Sequence, residues 1–412
     1  MNVSIHQDRL NRELHELALI SDVPAPAVTR VVFTPADLRG RTFVRELCQD
    51  AGLQIREDAV GNLFARWAGS KPELPAVATG SHIDAIPNAG MFDGTVGVLG
   101  GLEAIRALVR SGFHPRRSIE LLVFTAEEPT RFGVGCLGSR LLAGTLDASA
   151  GERFKDRDGN SLDEVRNKAG FHGPLWGVRL PAGYYHAFVE LHIEQGPVLE
   201  QQQLGLGIVT AIAAPASLRV SIEGPGGHAG AVLMPQRHDA FLAAAEIALA
   251  VEAAVLSSGS EDTVATTGVC EVFPGAVNSI PSRVHLEIDV RDIDQTRRDG
   301  VLRKIDRALA AIALRRGTAI QTEIINADPP ARCDQLVIEA LRRGCQIHGA
   351  AYEFMISRAY HDSLFMSLIA PAAMLFIPCR GGVSHRPDEY SSPEAIAHGV
   401  LVLAEALAQL AE

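Results

Sequence analysis

Apolar residues gather into short continuous runs, Pro75 to Thr79, Ser118 to Phe124 and Ala373 to Ile377. Runs of this length bounded by turn residues predict strands buried on both faces. Ala187 to Ile193 alternates instead, placing Val189, Leu191 and Ile193 on one side and Glu190, His192 and Glu194 on the other. Helical spacing fills the intervals. Thr34-Pro35-Ala36-Asp37 reads as an N-cap with proline at the first helical position, and Gly52 stops the helix that follows. Leu53 to Trp67 reads as a hairpin, 141 to 185 as loops and short helices outside the sheet, and Asp334 to His348 and Pro393 to Leu410 as helices. Strands alternating with helices predict an α/β domain.

From about Val209 the pattern changes. Leu218 to Glu223, Thr263 to Phe273, the strictly alternating Arg283 to Val290 and Thr318 to Ile325 read as strands. Arg237 to Leu256 and Thr296 to Arg315 read as helices. Strand, helix, strand, strand, helix, strand is the ferredoxin-like order. The expected organisation is an α/β domain of residues 1–209 and 328–412, interrupted by an α+β domain of residues 210–327. A chain of 412 residues favours two cores in any case.

Composition removes several classes of function. A formal net charge of -11, with no Lys or Arg run, argues against nucleic acid and anionic membrane as partners. No apolar stretch approaches the roughly 18 residues of a membrane span, and Met1 to Ile20 lacks the apolar centre of a secretory signal. Six scattered cysteines without a C-x-x-C pair are expected to be reduced and mostly buried, with the cytoplasm as the expected compartment.

Chemistry concentrates where the predicted strands end. His82, the pair Glu127-Glu128, His192 and His385 each follow or close an apolar strand, and Asp93 is brought back near His82 by a loop rich in Pro, Asn and Gly, Ile86 to Gly90. Ligands of open α/β sheets collect at the carboxyl ends of strands. Imidazoles and carboxylates of this number suit two Zn or Mn ions sharing a carboxylate. Of two adjacent glutamates on extended backbone, one can bind metal while the other faces substrate and moves a proton. Such a set points to amide hydrolysis. Gly94 to Gly101, running into a helix read as Leu102 to Ser111, invites a phosphate-loop reading, but lacks the G-K-S/T ending and follows a loop, so close helix packing is expected.

The motifs GSHIDAIPNAGMFDG, EE, ELHIEQG, GGHAG, PGAVNSIP and SHRPDEY together resemble the amidohydrolase (carbamoylase) branch of the M20 metallopeptidase family. The resemblance implies a catalytic domain with a mixed sheet flanked by helices, plus an inserted ferredoxin-like domain serving as lid and homodimer contact. It implies that His82, Asp93 and His192 hold one ion and Asp93, Glu128 and His385 the other. The ions would be Mn or Zn, with Co or Ni as alternatives. Glu127 would be general base and acid, and Asp84 the carboxylate orienting His82. His228 would polarise the scissile carbonyl, and Gln195, Asn278 and Arg291 would contact substrate. A cis peptide after Asp93 is also implied. Within the branch, ISRAYHDSLFM resembles the ureidoglycolate amidohydrolases of purine breakdown, with Tyr360 in the pocket, whereas Cys379-Arg380-Gly381-Gly382 resembles the carbamoylases. The implied substrate is a small ureido acid, ureidoglycolate first, with N-carbamoyl-L-amino acids or allantoate as alternatives. A non-catalytic binding protein on the same scaffold would require a missing ligand or base, and none is missing.

Overall fold

Strands Ala372–Ile377, Tyr185–Ile193, Ala76–His82 and Ile119–Phe124 lie side by side and run parallel at the centre of an extended sheet. The computed structural model describes residues 3–412. All but one residue of these four strands are buried, which explains the apolar runs in three of them, while Tyr185–Ile193 buries Glu190 and His192 as well. Antiparallel strands extend the sheet on both sides. Leu63–Trp67 and Gln54–Glu57 continue it beyond Ile119–Phe124, and Leu206–Ile212 pairs with Ala372–Ile377. The sheet is therefore mixed, with a parallel centre. Helices Thr95–Arg110 and Pro393–Ala411 pack on it. An apolar cluster including Phe64, Phe124, Phe132, Phe171 and Phe188 contains residues of the same central strands.

The described residues divide into two units: one formed by residues up to Thr210, Cys333–Ser357 and His361–Glu412, the other by Ala211–Arg332 and Arg358–Tyr360. In the second unit four antiparallel strands stand in the order Val264–Phe273, Arg283–Asp292, Ala214–Glu223, Ala319–Ala327. Helices Ala240–Leu256 and Gln295–Arg316 complete the ferredoxin-like βαββαβ arrangement. Val284, Leu286, Ile288 and Val290 point alternately into its core, as their period of two requires.

Several boundaries differ from the sequence reading. The loop expected at Ile86 to Gly90 is a strand, Ala85–Ala89, because Val28–Arg30 pairs with it antiparallel. The helix expected from Leu102 begins at Thr95, so Gly97, Gly100 and Gly101 lie inside it. A Cβ at Gly97 would stand 2.5 Å from the Leu191 carbonyl oxygen, and one at Gly100 2.9 Å from Val400. These glycines serve close packing, as expected. The helix expected from Arg237 starts at Ala240, where the Asp239 carboxylate caps the amides of Phe241 and Leu242. Strand Leu206–Ile212 was not predicted. Helix Pro393–Ala411 is, contrary to expectation, long and apolar enough to cross a membrane, but 67% of that stretch is buried against its own unit.

Candidate metal centre

His82 is the last residue of its strand, and its ring is fixed from behind. Nδ1 lies 3.0 Å from the backbone carbonyl of Asp84, an oxygen that can only accept, so Nδ1 carries the proton and Nε2 faces inward. The fully buried Arg30 guanidinium donates to the Ile83 carbonyl at 2.7 Å and pins the backbone between these two residues. His192, penultimate on Tyr185–Ile193, repeats the arrangement: Nδ1 lies 2.9 Å from the Ile193 carbonyl, again leaving Nε2 inward. Both tautomers are those of metal-ligating imidazoles.

The inward atoms converge on Asp93. His82 Nε2 is 3.4 Å and His192 Nε2 3.2 Å from its Oδ1; His385 Nε2 is 3.2 Å from its Oδ2. His385 Nε2 also lies 3.3 Å from Glu128 Oε1, and Glu127 Oε2 is 3.7 Å from His82 Nε2. The chain turns sharply after Asp93 at Gly94 (φ 66°), where a Cβ would stand 2.5 Å from the His82 ring. Only glycine satisfies both conditions. The peptide after Asp93 is trans, correcting the expectation: among the described residues the cis bonds are Ala25-Pro26 and Phe273-Pro274. The Gly94 amide nitrogen lies 3.2 Å from His192 Nε2.

Asp84 also acts differently from expectation. It holds His82 through its carbonyl oxygen, while its carboxylate stands 3.7 Å from the ring. That carboxylate accepts the Glu127 amide at 3.3 Å and the Glu128 amide at 3.1 Å, so it sets the turn that splays the two glutamates. Gln195 donates to Asp93 Oδ2 at 2.7 Å and thus steadies the central carboxylate.

Residues that the sequence reading passed over complete the surroundings. The Cys136 thiol donates to Glu127 Oε1 at 3.3 Å. Buried Glu190 accepts from the hydroxyls of Ser81 (2.7 Å) and Ser363 (2.5 Å) and the Ser363 amide, tying the His82 and His192 strands to helix Asp362–Met366. The His361 ring stacks edge-on against His192 at 4.6 Å between centroids. Asp362 accepts from Ser139 Oγ at 2.5 Å. Glu190 stood beside His192 in the alternating strand, and His361-Asp362 within ISRAYHDSLFM. Their burial was the missing signal.

Electrostatics follow from this crowding. Burial works against a charge on Asp93, yet hydrogen bonds from His192, His385 and His82 hold its carboxyl well below the usual range. Burial likewise opposes charge on His82, but Glu127, Asp93 and Asp84 raise it well above an ordinary imidazole. Asp93 and then Glu128 lift His385 to about 10. Burial pushes Glu127 well up, reinforced by Glu128 and Asp362 and only partly offset by His82. Asp84, Asp93, Glu127, Glu128, Glu190, Asp362 and Glu389 together outnumber the cationic groups beside them, and all are buried. Buried acids in such excess must either take up protons, as the raised Glu127 and Asp362 do, or be matched by cations. The atoms of His82, Asp93 and His192, and those of Asp93, Glu128 and His385, each lie within 4.8 Å of one another and fit divalent ions.

The remaining candidates belong to the second unit. Exposed His228 pairs backbone-to-backbone with Ser279, and the Ala229 amide donates to the Asn278 carbonyl at 2.9 Å, so His228 and Asn278 are neighbours. His228 Nδ1 accepts from the Gly230 amide at 3.1 Å, which puts the ring proton on Nε2. Arg291 pairs with Asp289 at 2.7 Å and donates to the Arg358 carbonyl. The Tyr360 hydroxyl is bonded to the Asp328 carboxylate.

Residues 78–409 match the sequence model of peptidase family M20/M25/M40. Ureidoglycolate hydrolase of Arabidopsis thaliana is 54% identical over 416 residues, spanning 99% of this chain and 87% of its own length. The N-carbamoyl-L-amino acid amidohydrolase of Geobacillus stearothermophilus is 39% identical over 413 residues, 99% of each chain. The crystal structure of AtUAH in complex with (S)-hydroxyglycine matches with a TM-score of 0.91 and 54% identity, covering 99% of this chain and 98% of that one. With a strand-end cluster of this kind and relatives of this kind, the chain belongs to the M20/M25/M40 peptidase family, among its amide-hydrolysing enzymes.

Proposed function

We propose that the protein is a binuclear metal-dependent amidohydrolase that cleaves the ureido C–N bond of (S)-ureidoglycolate, leading to glyoxylate, ammonia and carbon dioxide. The observation that carries the chemistry is the convergence of His82, His192 and His385 on both oxygens of Asp93, with Glu127 alongside. The 54% identity with a ureidoglycolate hydrolase over nearly the whole chain supports the substrate.

In this reading His82, Asp93 and His192 would hold one ion and Asp93, Glu128 and His385 the other, Mn or Zn in either place. When bound, the ions supply Lewis acidity toward water and the scissile carbonyl. Glu127, set apart from Glu128 by the turn at Asp84, would take a proton from the attacking water and return it to the leaving nitrogen. Its raised pKa suits it to hold that proton. His228, with Nε2–H outward, donates to the carbonyl oxygen as negative charge develops. Asn278 and Arg291 bind the substrate carboxylate, the arginine with whatever donors Asp289 leaves to it. Tyr360, already bonded to Asp328, addresses the substrate hydroxyl. The ferredoxin-like unit serves as lid and as homodimer contact. Five buried thiols, without disulfides among the described residues, suit a reducing compartment such as the cytoplasm.

Steady-state rates on (S)-ureidoglycolate, an N-carbamoyl-L-amino acid and allantoate, with Mn, Co and Zn in turn, test the proposal. Highest kcat/KM is expected on ureidoglycolate. Turnover of the carbamoyl amino acid alone would move the assignment to the carbamoylases.

A further inference from the structure

Glu389 is 5% exposed and holds no place among the metal ligands, yet its carboxylate joins the two loops that bear Asp93 and His385. Oε1 accepts the amides of Phe92 at 2.9 Å and Asp93 at 3.1 Å. Oε2 accepts the His385 amide at 3.3 Å and lies 2.9 Å from Ser384 Oγ, which is also 3.0 Å from Asp93 Oδ2. Each oxygen thus serves one loop, and the loops are nearly 300 positions apart in the chain. Gly90 makes room for it: a Cβ there would stand 2.4 Å from Glu389 Cβ. Ordinary loop closure would not require every donor to flank a candidate ligand.

We infer that Glu389 is a positioning residue that sets Asp93 and His385 in register, so that one carboxylate and one imidazole can share an ion. This inference rests on the metal reading of the site. A carboxylate is suited to the task because both oxygens only accept. Glutamine presents one oxygen and one NH2 group, and the NH2 must then face the N–H donors of one loop. Replacing a group that orients metal ligands typically lowers metal affinity by about 10- to 100-fold.

The test uses full-length Glu389→Gln and Gly90→Ala. Metal affinity is measured by chelator competition on the folded fraction, with the visible spectrum of the Co-loaded protein and kcat and KM on ureidoglycolate. Gly90→Ala keeps every polar group but pushes the Glu389 side chain aside. It also provides the reading if Glu389→Gln does not fold. Expected for both are roughly 10- to 100-fold weaker binding of one ion, an altered Co spectrum, and a fall in kcat with KM retained. A purely structural role would lower thermal stability but leave affinity and spectrum of the folded fraction at wild-type values, and that result overturns the inference. Two ions in wild type with unchanged uptake by the variants defeats this inference alone. Failure of wild type to take up metal defeats the reading beneath it.

Discussion

Asp93→Asn isolates the charge at the middle of the cluster without changing its shape. The carboxylate lies 3.2 to 3.4 Å from the inward nitrogens of His82, His192 and His385 and is 7% exposed. A unit positive charge about 3.3 Å from a carboxylate charge gains about 5 kcal/mol at an effective dielectric constant near 20. The amide retains a carbonyl dipole and nearby carboxylates remain, so less than half of that should be lost. About 2 kcal/mol for each cation corresponds to roughly 30-fold in affinity, and about 10³-fold for two ions that share the group. Dialysis against graded chelator followed by elemental analysis measures this directly. A second readout needs no metal. Asp93 is the principal cause of the raised His385 pKa of about 10, so in metal-free Asp93→Asn the His385 proton resonances should titrate nearer an ordinary imidazole. A variant retaining both ions at wild-type affinity, with His385 titrating as before, would refute Asp93 as the shared ligand.

Glu127→Gln should keep its metal and lose at least about 10²-fold in kcat, the usual worth of a general base; stoichiometry and rate measured on one sample decide it. Asp84→Asn removes one acceptor from the turn that separates Glu127 from Glu128, and kcat should fall by about 10- to 100-fold, read by steady-state kinetics at saturating metal. Metal uptake should release protons, because without an ion His82, His192 and His385 all hold theirs above the ordinary pKa. Protonated imidazole cannot ligate, so affinity should rise with pH through neutrality, and calorimetry in buffers of different ionisation enthalpy counts the protons. Gly97→Ala would set a methyl 2.5 Å from the Leu191 carbonyl. It should destabilise by about 1 to 3 kcal/mol against a Gly177→Ala control, where nothing lies within 4 Å; thermal melts compare them.

The legible part of this molecule was what periodicity and residue type can encode. Three of the four parallel strands announced themselves by apolar runs, because burial on both faces favours them, while Tyr185–Ile193 and the βαββαβ unit did so through alternation. Strand Ala85–Ala89 was hidden because Pro87, Asn88 and the following glycine look like a loop, and only pairing with Val28–Arg30 makes it a strand. The start of Thr95–Arg110 was hidden for a related reason: glycine is a poor helix former, and only the closeness of Leu191, Ser81 and Val400 makes it the residue that fits. Tertiary contact overrode local preference in both places.

The same division runs through the site. Imidazoles and acids at strand ends can be proposed from a sequence, since position along a strand fixes where they emerge. What orients them cannot, because it is largely backbone. The Asp84 and Ile193 carbonyls choose the tautomers of His82 and His192. The carboxylates of Asp84 and Glu389 then accept the amides on which Glu127, Glu128, Asp93 and His385 are mounted. A buried carboxylate engaged in this way fixes main chain rather than touching substrate, so its replacement should act on several ligands at once. Double variants combining Asp84→Asn with Glu389→Gln test this. If each carboxylate governs its own pair of residues, Glu127 with Glu128 and Asp93 with His385, their losses in metal affinity should add within about 0.5 kcal/mol. A large departure from additivity would show that the mounts move as one body.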